Sequence, residues 1–398
     1  MLVVGAGPAG AELSRGLAQA GIDVILIERL PRLDQAAFSS AALPLEAVHH
    51  YGLPAHVVAS RWSGWQLIGP AQQRRQWEHG TPLGAVLDFG ALRQWLVDQA
   101  QSWGARVQLA TTALACRQVP GGVLTQVRRS DGRLQQVQSR WVVDASGQSR
   151  ALLGEPGPGM GPLVGGIGLE WLLEVEPSCW RTWTGRLSFV LGSSWVSQGY
   201  GWVFPMQSGL LKVGVCRLMD PGSAQPALGP TMAQLLSRIG LDGGHVIDRH
   251  GGLIRSSLDR REPHRQGRLL GLGDAVSTAN LLGGEGIRHA LCSSRVLLTA
   301  LLNALKLERL GQSESQQLVA IDRYPQLLRR ELGWRWGLSG RLARRTWLGL
   351  SHAAADRRLE RLLTGLETNR AEDLSALLFG YRFERYGPKA LPYLLGWR

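Results

Sequence analysis

The chain has 398 residues, 44% of them apolar, and a formal net charge of +13 that comes almost wholly from arginine and gathers in the tail. That length supports a large core divided into two lobes and a tail, and no uninterrupted apolar run reaches the ~18 residues of a membrane span, since "LCSSRVLLTALLNAL" is broken by Arg295. Cys116, Cys179, Cys216 and Cys292 lack C-x-x-C spacing, which excludes a structural zinc site and points to a reducing, cytoplasmic setting.

The first element is a short apolar strand, Leu2 to Val4. "PAGAELSRGLAQAG" then carries apolar residues at helical spacing and ends at Gly21, and Asp23 to Ile27 form a second strand ending in Glu28. A G-x-G-x-x-G run between strand and helix, with an acidic residue closing the second strand, is the βαβ fingerprint of a dinucleotide site. Each residue type has a physical task there. Gly5 permits the tight turn, Gly7 lacks the Cβ that would hold a pyrophosphate away, and Gly10 lets the helix lie against the sheet. Pro8 and Ala9 open that helix, whose positive end faces the phosphates. Glu28, followed by Arg29, stands where a carboxylate accepts both hydroxyls of an adenosine ribose. Only four residues precede Gly5, against the ~5–6 of an ordinary strand, which predicts a start further upstream.

A loop and a short helix near Leu45 to Tyr51 follow, then an amphipathic helix and strand in "LDFGALRQWLVDQAQSWGARVQL". Two strands joined around Asp131-Gly132 lead to a third that ends at Asp144. From about Gly165 to Arg255 alternating strands predict an antiparallel sheet inserted into the dinucleotide domain. Within it, "QGYGWVFP" puts Tyr200, Trp202 and Phe204 on one strand face, with Pro205 ending the strand. Such a face suits a long apolar polyene, because it supplies area without polar groups to desolvate. Trp62, Trp65 and Trp77 are read as part of a loop region facing that sheet, where roles in the cavity wall, in the core and at the surface stand open together.

The parallel pattern returns with "GRLLGLGDA", which delivers Gly273 and Asp274 to a strand's carboxyl end. Asp274 can accept a hydrogen bond from a sugar-alcohol hydroxyl. "GGEGI", with Gly283, Gly284, Gly286 and Ile287, opens a helix running to about Leu305, whose free amides favour negative charge on a neighbouring ring. The fold class is therefore α/β: a Rossmann-type domain of residues 1–164 and 256–320, an inserted antiparallel sheet of 165–255, and a basic helical region of 321–398.

Together these motifs resemble the FAD-binding domain of the para-hydroxybenzoate hydroxylase-like flavoprotein superfamily. "VVDASGQSRAL" is similar to its middle motif, with Asp144, Gly147, Ser149 and Arg150 at the matching positions. "YGWVFP" resembles the Y-x-W-x-F-P signature of geranylgeranyl reductases, and the resemblance covers residues 1 to about 320. It implies FAD as cofactor, NADPH or another external electron donor bound transiently, and reduction of C=C bonds in an isoprenoid chain, a long apolar substrate. Aromatic hydroxylation and a lycopene-type cyclisation without net redox change stay open as alternatives. Reductases of this kind often carry a Cys-Gly-Gly-like segment where this chain has Ser39 and Ser40, and a flavin-contacting arginine where it has Asp88, with Arg93 a turn later. The resemblance thus assigns Ser40 and Arg93 to the cofactor. Flavin halogenases rely on a lysine between the lobes, and no lysine precedes Lys212.

The tail sets Trp334, Trp336 and Trp347 among Arg329, Arg330, Arg335, Arg341, Arg344 and Arg345. No nucleic-acid fold accompanies this charge, so no nucleic-acid partner is expected. Two readings stand side by side: helices of residues 323–362 lying on an anionic membrane surface, which would make the protein peripheral, and a solvated helical cap on the flavin domain. No metal site is expected.

Overall fold

Leu2–Val4 is apolar and buried along its whole length, a pattern suited to the middle of a parallel sheet covered on both faces. In the computed structural model it takes that place. The model describes residues 1–386 apart from 36–38, 158–162, 208, 221, 223, 224, 259 and 260. The six-stranded sheet runs Arg265–Gln266, Leu269–Gly271, Val142–Asp144, Leu2–Val4, Ile25–Ile27, Arg106–Gln108. It is parallel except at the Arg265–Gln266 edge. Its carboxyl ends deliver Gly5, Ala145 and Leu272 to one side, where ligands of such sheets bind.

One face is covered by the helices Pro8–Gln19, Phe89–Ser102 and Ile287–Arg309. The other face packs on a three-stranded sheet of Thr112–Val119, Gly122–Arg128 and Leu134–Ser139. Its hairpin turns at Asp131-Gly132, with Gly132 at φ 80° and the Asp131 side chain accepting from the Arg133 amide.

The second large sheet has the order His245–Ser257, Leu163–Glu174, Leu210–Leu218, Gly199–Pro205, Arg186–Leu191, Gly64–Ile68, Arg74–Glu78. It is therefore not confined to residues 165–255. Trp65 and Trp77 lie in two of its strands, and Trp62 ends the strand Val58–Trp62 of a small neighbouring sheet, so none of the three is in a loop. The runs around them are five residues each, too short for alternation to declare a strand before its partners are known. Gly64–Ile68 pairs in parallel with Arg186–Leu191, and the other pairings in this sheet are antiparallel.

Alternation divides the sheet between two cores. Val203, Val213 and Val215 pack against the helix Leu228–Ile239, whereas Tyr200, Trp202 and Phe204 face the opposite way with Trp62, Trp65 and Trp77. Ile287–Arg309 is long and apolar enough to cross a membrane, at a mean hydropathy of 1.4. Half of its most apolar stretch is buried against the protein, and it packs on Pro8–Gln19 and on Glu314–Asp322 as a core helix.

The tail forms Tyr324–Gly349, kinked at Gly333, then Ala353–Leu366 and Ala371–Leu378. Among the tryptophans of Tyr324–Gly349, Trp336 and Trp347 are buried and Trp334 is exposed, at 68%. Trp336 and Trp347 are thus part of a cap, because the helix turns its small and aromatic positions (Trp336, Ser339, Gly340, Ala343, Trp347) inward and its arginines outward. Arg75 ties this cap to the sheet, reaching Glu360 at 2.8 Å and Glu367 at 2.5 Å from a side chain only 4% exposed. Its loss would remove the contacts to Glu360, Thr364 and Glu367 that tie Ala353–Leu366 to the sheet. Arg75→Ala is therefore expected to loosen Ala353–Leu366 locally, so that limited proteolysis cuts there about tenfold faster than in the parent chain.

Candidate cofactor and substrate site

The glycine-rich turn is built by close backbone approaches. Gly5 takes φ 106° and lies so near the end of Val142–Asp144 that a Cβ on it would meet the Ala145 carbonyl oxygen at 2.5 Å. A Cβ on Gly10 would lie 2.0 Å from the Gly5 carbonyl oxygen, so the helix can start this close only with glycine there. Around Gly7 nothing lies within 4 Å of such a Cβ, leaving space beside the first turn of Pro8–Gln19, which has Pro8 in that turn and no side-chain cap. Uncapped amides at a helix start are a ready site for phosphate oxygens.

Glu28 is 7% exposed and fastens the turn by accepting from the amides of Ala6 at 2.8 Å and Leu30 at 3.0 Å. An ionised carboxylate keeps further lone pairs for ribose hydroxyls. Arg93 lies beside it, at 3.5 Å, donating to the carbonyls of Leu33 and Ala6. Burial lowers the Arg93 pKa, with Glu28 opposing that shift. Arg93 therefore supports the first glycine turn and does not line the cavity described below. Arg29 is exposed. Asp144 is also outside the cavity: both its oxygens are taken by the amides of Ser146, Leu152 and Leu153 and the Ser146 hydroxyl. It holds its own turn together, a role invisible until the chain folds back on it.

A cavity of about 210 Å³ opens between the two sheets. Pro8, Asp274, Gly283, Gly284, Gly286 and Ile287 line it on the side of the first sheet, with Ser39 and Ser40 beside them; Phe189, Tyr200, Trp202 and Phe204 line the other. Gly273 sits just behind, at φ 63°, where a Cβ would strike Ala9. Gly284, at φ 65°, lets its loop pass over the Tyr200 hydroxyl, 3.0 Å from where a Cβ would stand. The helix Ile287–Arg309 begins at this loop without a side-chain cap, so its free amides open on the cavity. Glu285, within the loop, is held by Arg288 at 2.6 and 2.7 Å and by the Tyr381 hydroxyl at 2.7 Å. Burial alone would raise its pKa, but Arg288 and His289 hold it at about 2.

The arrangement fits the dinucleotide. There is a Cβ-free cradle at Gly7 and a carboxylate at Glu28 by the first glycine turn, and a second carboxylate at Asp274 and a second uncapped helix start at Gly286 on the cavity. The four cysteines are free, and among the described residues no three His, Cys, Asp or Glu side chains converge as metal ligands.

Position in the chain misled in one case. Lys212 lies late in the sequence, yet its strand brings it, 5% exposed, to the boundary between the sheets, where its ammonium donates to the carbonyls of Ser39 and Leu87. Phe189 and Glu170 were also overlooked. The signal available for both charged groups was a lone ionisable residue in an otherwise apolar strand, "GIGLEWLL" and "LLKVGV".

Asp274 accepts from the Thr278 hydroxyl at 3.1 Å, and burial raises its pKa to about 6. The folded chain then binds more protons than the unfolded one between the ordinary value of 3.8 and about 6, so this group's contribution to stability falls as pH rises through that window. Asp274→Asn removes the titration. Denaturant unfolding of flavin-free protein should show the variant gaining about 2–3 kcal/mol on the parent chain between about pH 4 and about pH 7; a difference independent of pH would refute the assignment.

The profile of the family described as FAD binding domain matches residues 1–316. The chain is similar to the digeranylgeranylglycerophospholipid reductase of Haloferax volcanii, 26% identical over 390 residues, which are 94% of this chain and 91% of that protein. It is also similar to the chloroplastic geranylgeranyl diphosphate reductase of Oryza sativa subsp. japonica, 24% identical over 315 residues, 75% of this chain and 65% of that protein. In fold it matches a geranylgeranyl bacteriochlorophyll reductase-like protein of Thermoplasma acidophilum, with a TM-score of 0.81 and 19% identity across 99% of this chain and 97% of that one. With the matched region spanning both halves of the first sheet and the groove at its carboxyl ends, the chain belongs to the FAD binding domain family.

Proposed function

We propose that this protein is an FAD-dependent oxidoreductase that reduces carbon–carbon double bonds in an isoprenoid chain of the geranylgeranyl type. The observation that carries this reading is the cavity whose one wall is the glycine-rich start of Ile287–Arg309 and whose other wall is aromatic, from Phe189, Tyr200, Trp202 and Phe204. The names of the similar proteins from Haloferax volcanii and Oryza sativa support the substrate class.

Gly7, the amides after it and Glu28 hold the adenosine diphosphate half of FAD, and Asp274 accepts from its sugar-alcohol chain. When bound and reduced, FAD supplies the hydride. The uncapped amides at Gly286 and Ile287 stabilise negative charge next to them. The aromatic wall excludes water and gives the polyene surface that makes no demand for hydrogen bonds. Tyr200 keeps its hydroxyl protonated, because burial raises its pKa well above the usual value. A proton from solvent or a nearby acid completes the addition of H2 across the bond. The electron donor, NADPH or another external reductant, visits the site transiently.

The second part of the proposal concerns delivery of the substrate. Arg323, Arg330, Arg341, Arg344 and Arg345 are exposed along Tyr324–Gly349 and its start, with Leu327 and Trp334 exposed between them. This face of residues 323–362 docks on an anionic membrane surface, from which an isoprenoid lipid reaches the cavity.

Dithionite-reduced protein incubated with geranylgeranyl diphosphate should yield products heavier by H2 per reduced bond. An oxygenated product would instead identify a hydroxylase, and an isomer of unchanged mass a cyclase. Tyr200→Ala and Trp202→Ala should each lower turnover about tenfold or more while FAD stays bound; unchanged rates would remove the aromatic wall from the mechanism. In a separate experiment, the protein should sediment with phosphatidylglycerol vesicles and not with phosphatidylcholine vesicles. Added salt should weaken this association, and an Arg341→Glu, Arg344→Glu, Arg345→Glu variant should lose it.

A further inference from the structure

A carboxyl group lies beneath the aromatic wall. Glu170 stands in the middle of Leu163–Glu174 with no solvent exposure. Strand register places it opposite Gly214, and Gly214 opposite Trp202. The three therefore form one row across three strands, on the face that carries Tyr200 and Phe204. Gly214 is the reason the row can close. A Cβ there would lie 2.0 Å from Cζ2 of Trp202, so the indole lies flat over the bare backbone of the central strand. Its Nε1 then reaches across and donates to Glu170 Oε2 at 3.0 Å.

The other groups facing this carboxyl come from the strands on either side. His250 Nε2, on the edge strand His245–Ser257, is 3.9 Å from Oε1, with its Nδ1 near Asp248 at 3.1 Å. Lys212 acts on it electrostatically from Leu210–Leu218, and burial pushes the Glu170 carboxyl upward against that influence. Oε1 itself makes no hydrogen bond among the described residues.

A wall that needed only packing would carry an apolar side chain at this position, since a buried ionisable group is costly unless its hydrogen bonds serve something. Here the hydrogen bond served is that of a buried indole N–H, which requires an acceptor. Trp202 lines the cavity and Glu170 does not.

We propose that Glu170 is a positioning residue of the substrate cavity, which holds the Trp202 indole flat across Gly214 so that the ring's face, not its edge, forms the wall against which the apolar chain lies. The proposal rests on the reading of this cavity as an isoprenoid site. Without the acceptor no polar partner fixes the tilt of the indole, and a tilted ring intrudes on the cavity that Trp202 lines. The effect falls on chain binding and leaves FAD affinity alone, because neither Glu170 nor Trp202 belongs to the glycine turns.

The test titrates geranylgeraniol into FAD-loaded protein, followed by the perturbation of the flavin absorbance, with FAD affinity measured alongside. Glu170→Gln keeps an oxygen that accepts from the indole and should bind the chain within about twofold of the parent protein, whereas Glu170→Leu should weaken chain binding about tenfold at unchanged FAD affinity. Trp202→Phe, which has no N–H to hold, should weaken it too, and adding Glu170→Leu to that variant should cost nothing more. Should Glu170→Leu misfold because Lys212 loses its opposing charge, Glu170→Leu with Lys212→Met restores a neutral interior and carries the same expectation. Parent-like binding by Glu170→Leu, multiplication of the two losses, failure of Glu170→Gln to rescue, or an equal loss of FAD affinity would each overturn the proposal. If the parent protein itself fails to bind geranylgeraniol, the isoprenoid reading falls and this proposal falls with it.

Discussion

The structure depends on backbone approaching backbone, and backbone approaching aromatic ring, more closely than a Cβ permits. Three contacts set its working parts. Gly10 against the Gly5 carbonyl brings the first helix onto the sheet, Gly284 over the Tyr200 hydroxyl brings the late loop onto the aromatic wall, and Gly214 beneath the Trp202 indole flattens that wall. The first fixes where a pyrophosphate can lie, the second fixes the distance between the two lobes, and the third shapes the surface between them. An added methyl at Gly10 or Gly214 would stand 2.0 Å from the Gly5 carbonyl or the Trp202 ring, whereas one at Gly284 would press on the Tyr200 hydroxyl at 3.0 Å from a left-handed backbone.

Around these contacts the ionisable groups are committed to holding parts of the chain. Glu28 and Arg93 stiffen the first turn, Asp144 closes the middle one, and Glu285 gathers Arg288 and Tyr381 behind the last. Lys212 joins the second sheet to the carbonyls of Ser39 and Leu87 across the lobe boundary. A buried charge is tolerated when every donor or acceptor near it is spoken for.

The tail completes the enclosure. Phe379 stacks on Trp62 at 5.8 Å, Ser375 accepts from the Trp65 indole at 3.0 Å, and Trp347 packs on Tyr200 at 4.9 Å while donating to the Leu281 carbonyl. Of the tail tryptophans, Trp347 therefore packs against the aromatic face of the second sheet and Trp336 against His289. What stays outward is arginine, together with Trp334, so the reading of a cap and the proposal of a membrane-facing surface apply to opposite sides of one helix.

The sequence by itself determined the local chemistry: the βαβ glycine turn, the Gly-Asp and GGEGI pair, and the alternation that aligns Tyr200, Trp202 and Phe204. Each is written within a few neighbouring residues, because turn geometry and strand period are set by short-range sterics. Only the tertiary structure decided that Gly64–Ile68 joins the second sheet, that Asp144 closes its own turn while Arg93 supports the first glycine turn, that Lys212 reaches the lobe boundary, and that Glu170 meets Trp202. Those outcomes depend on which strands become neighbours. Strand pairing brings together residues as far apart as Trp65 and Leu187, and side-chain partners chosen at that range leave no periodic mark in the chain.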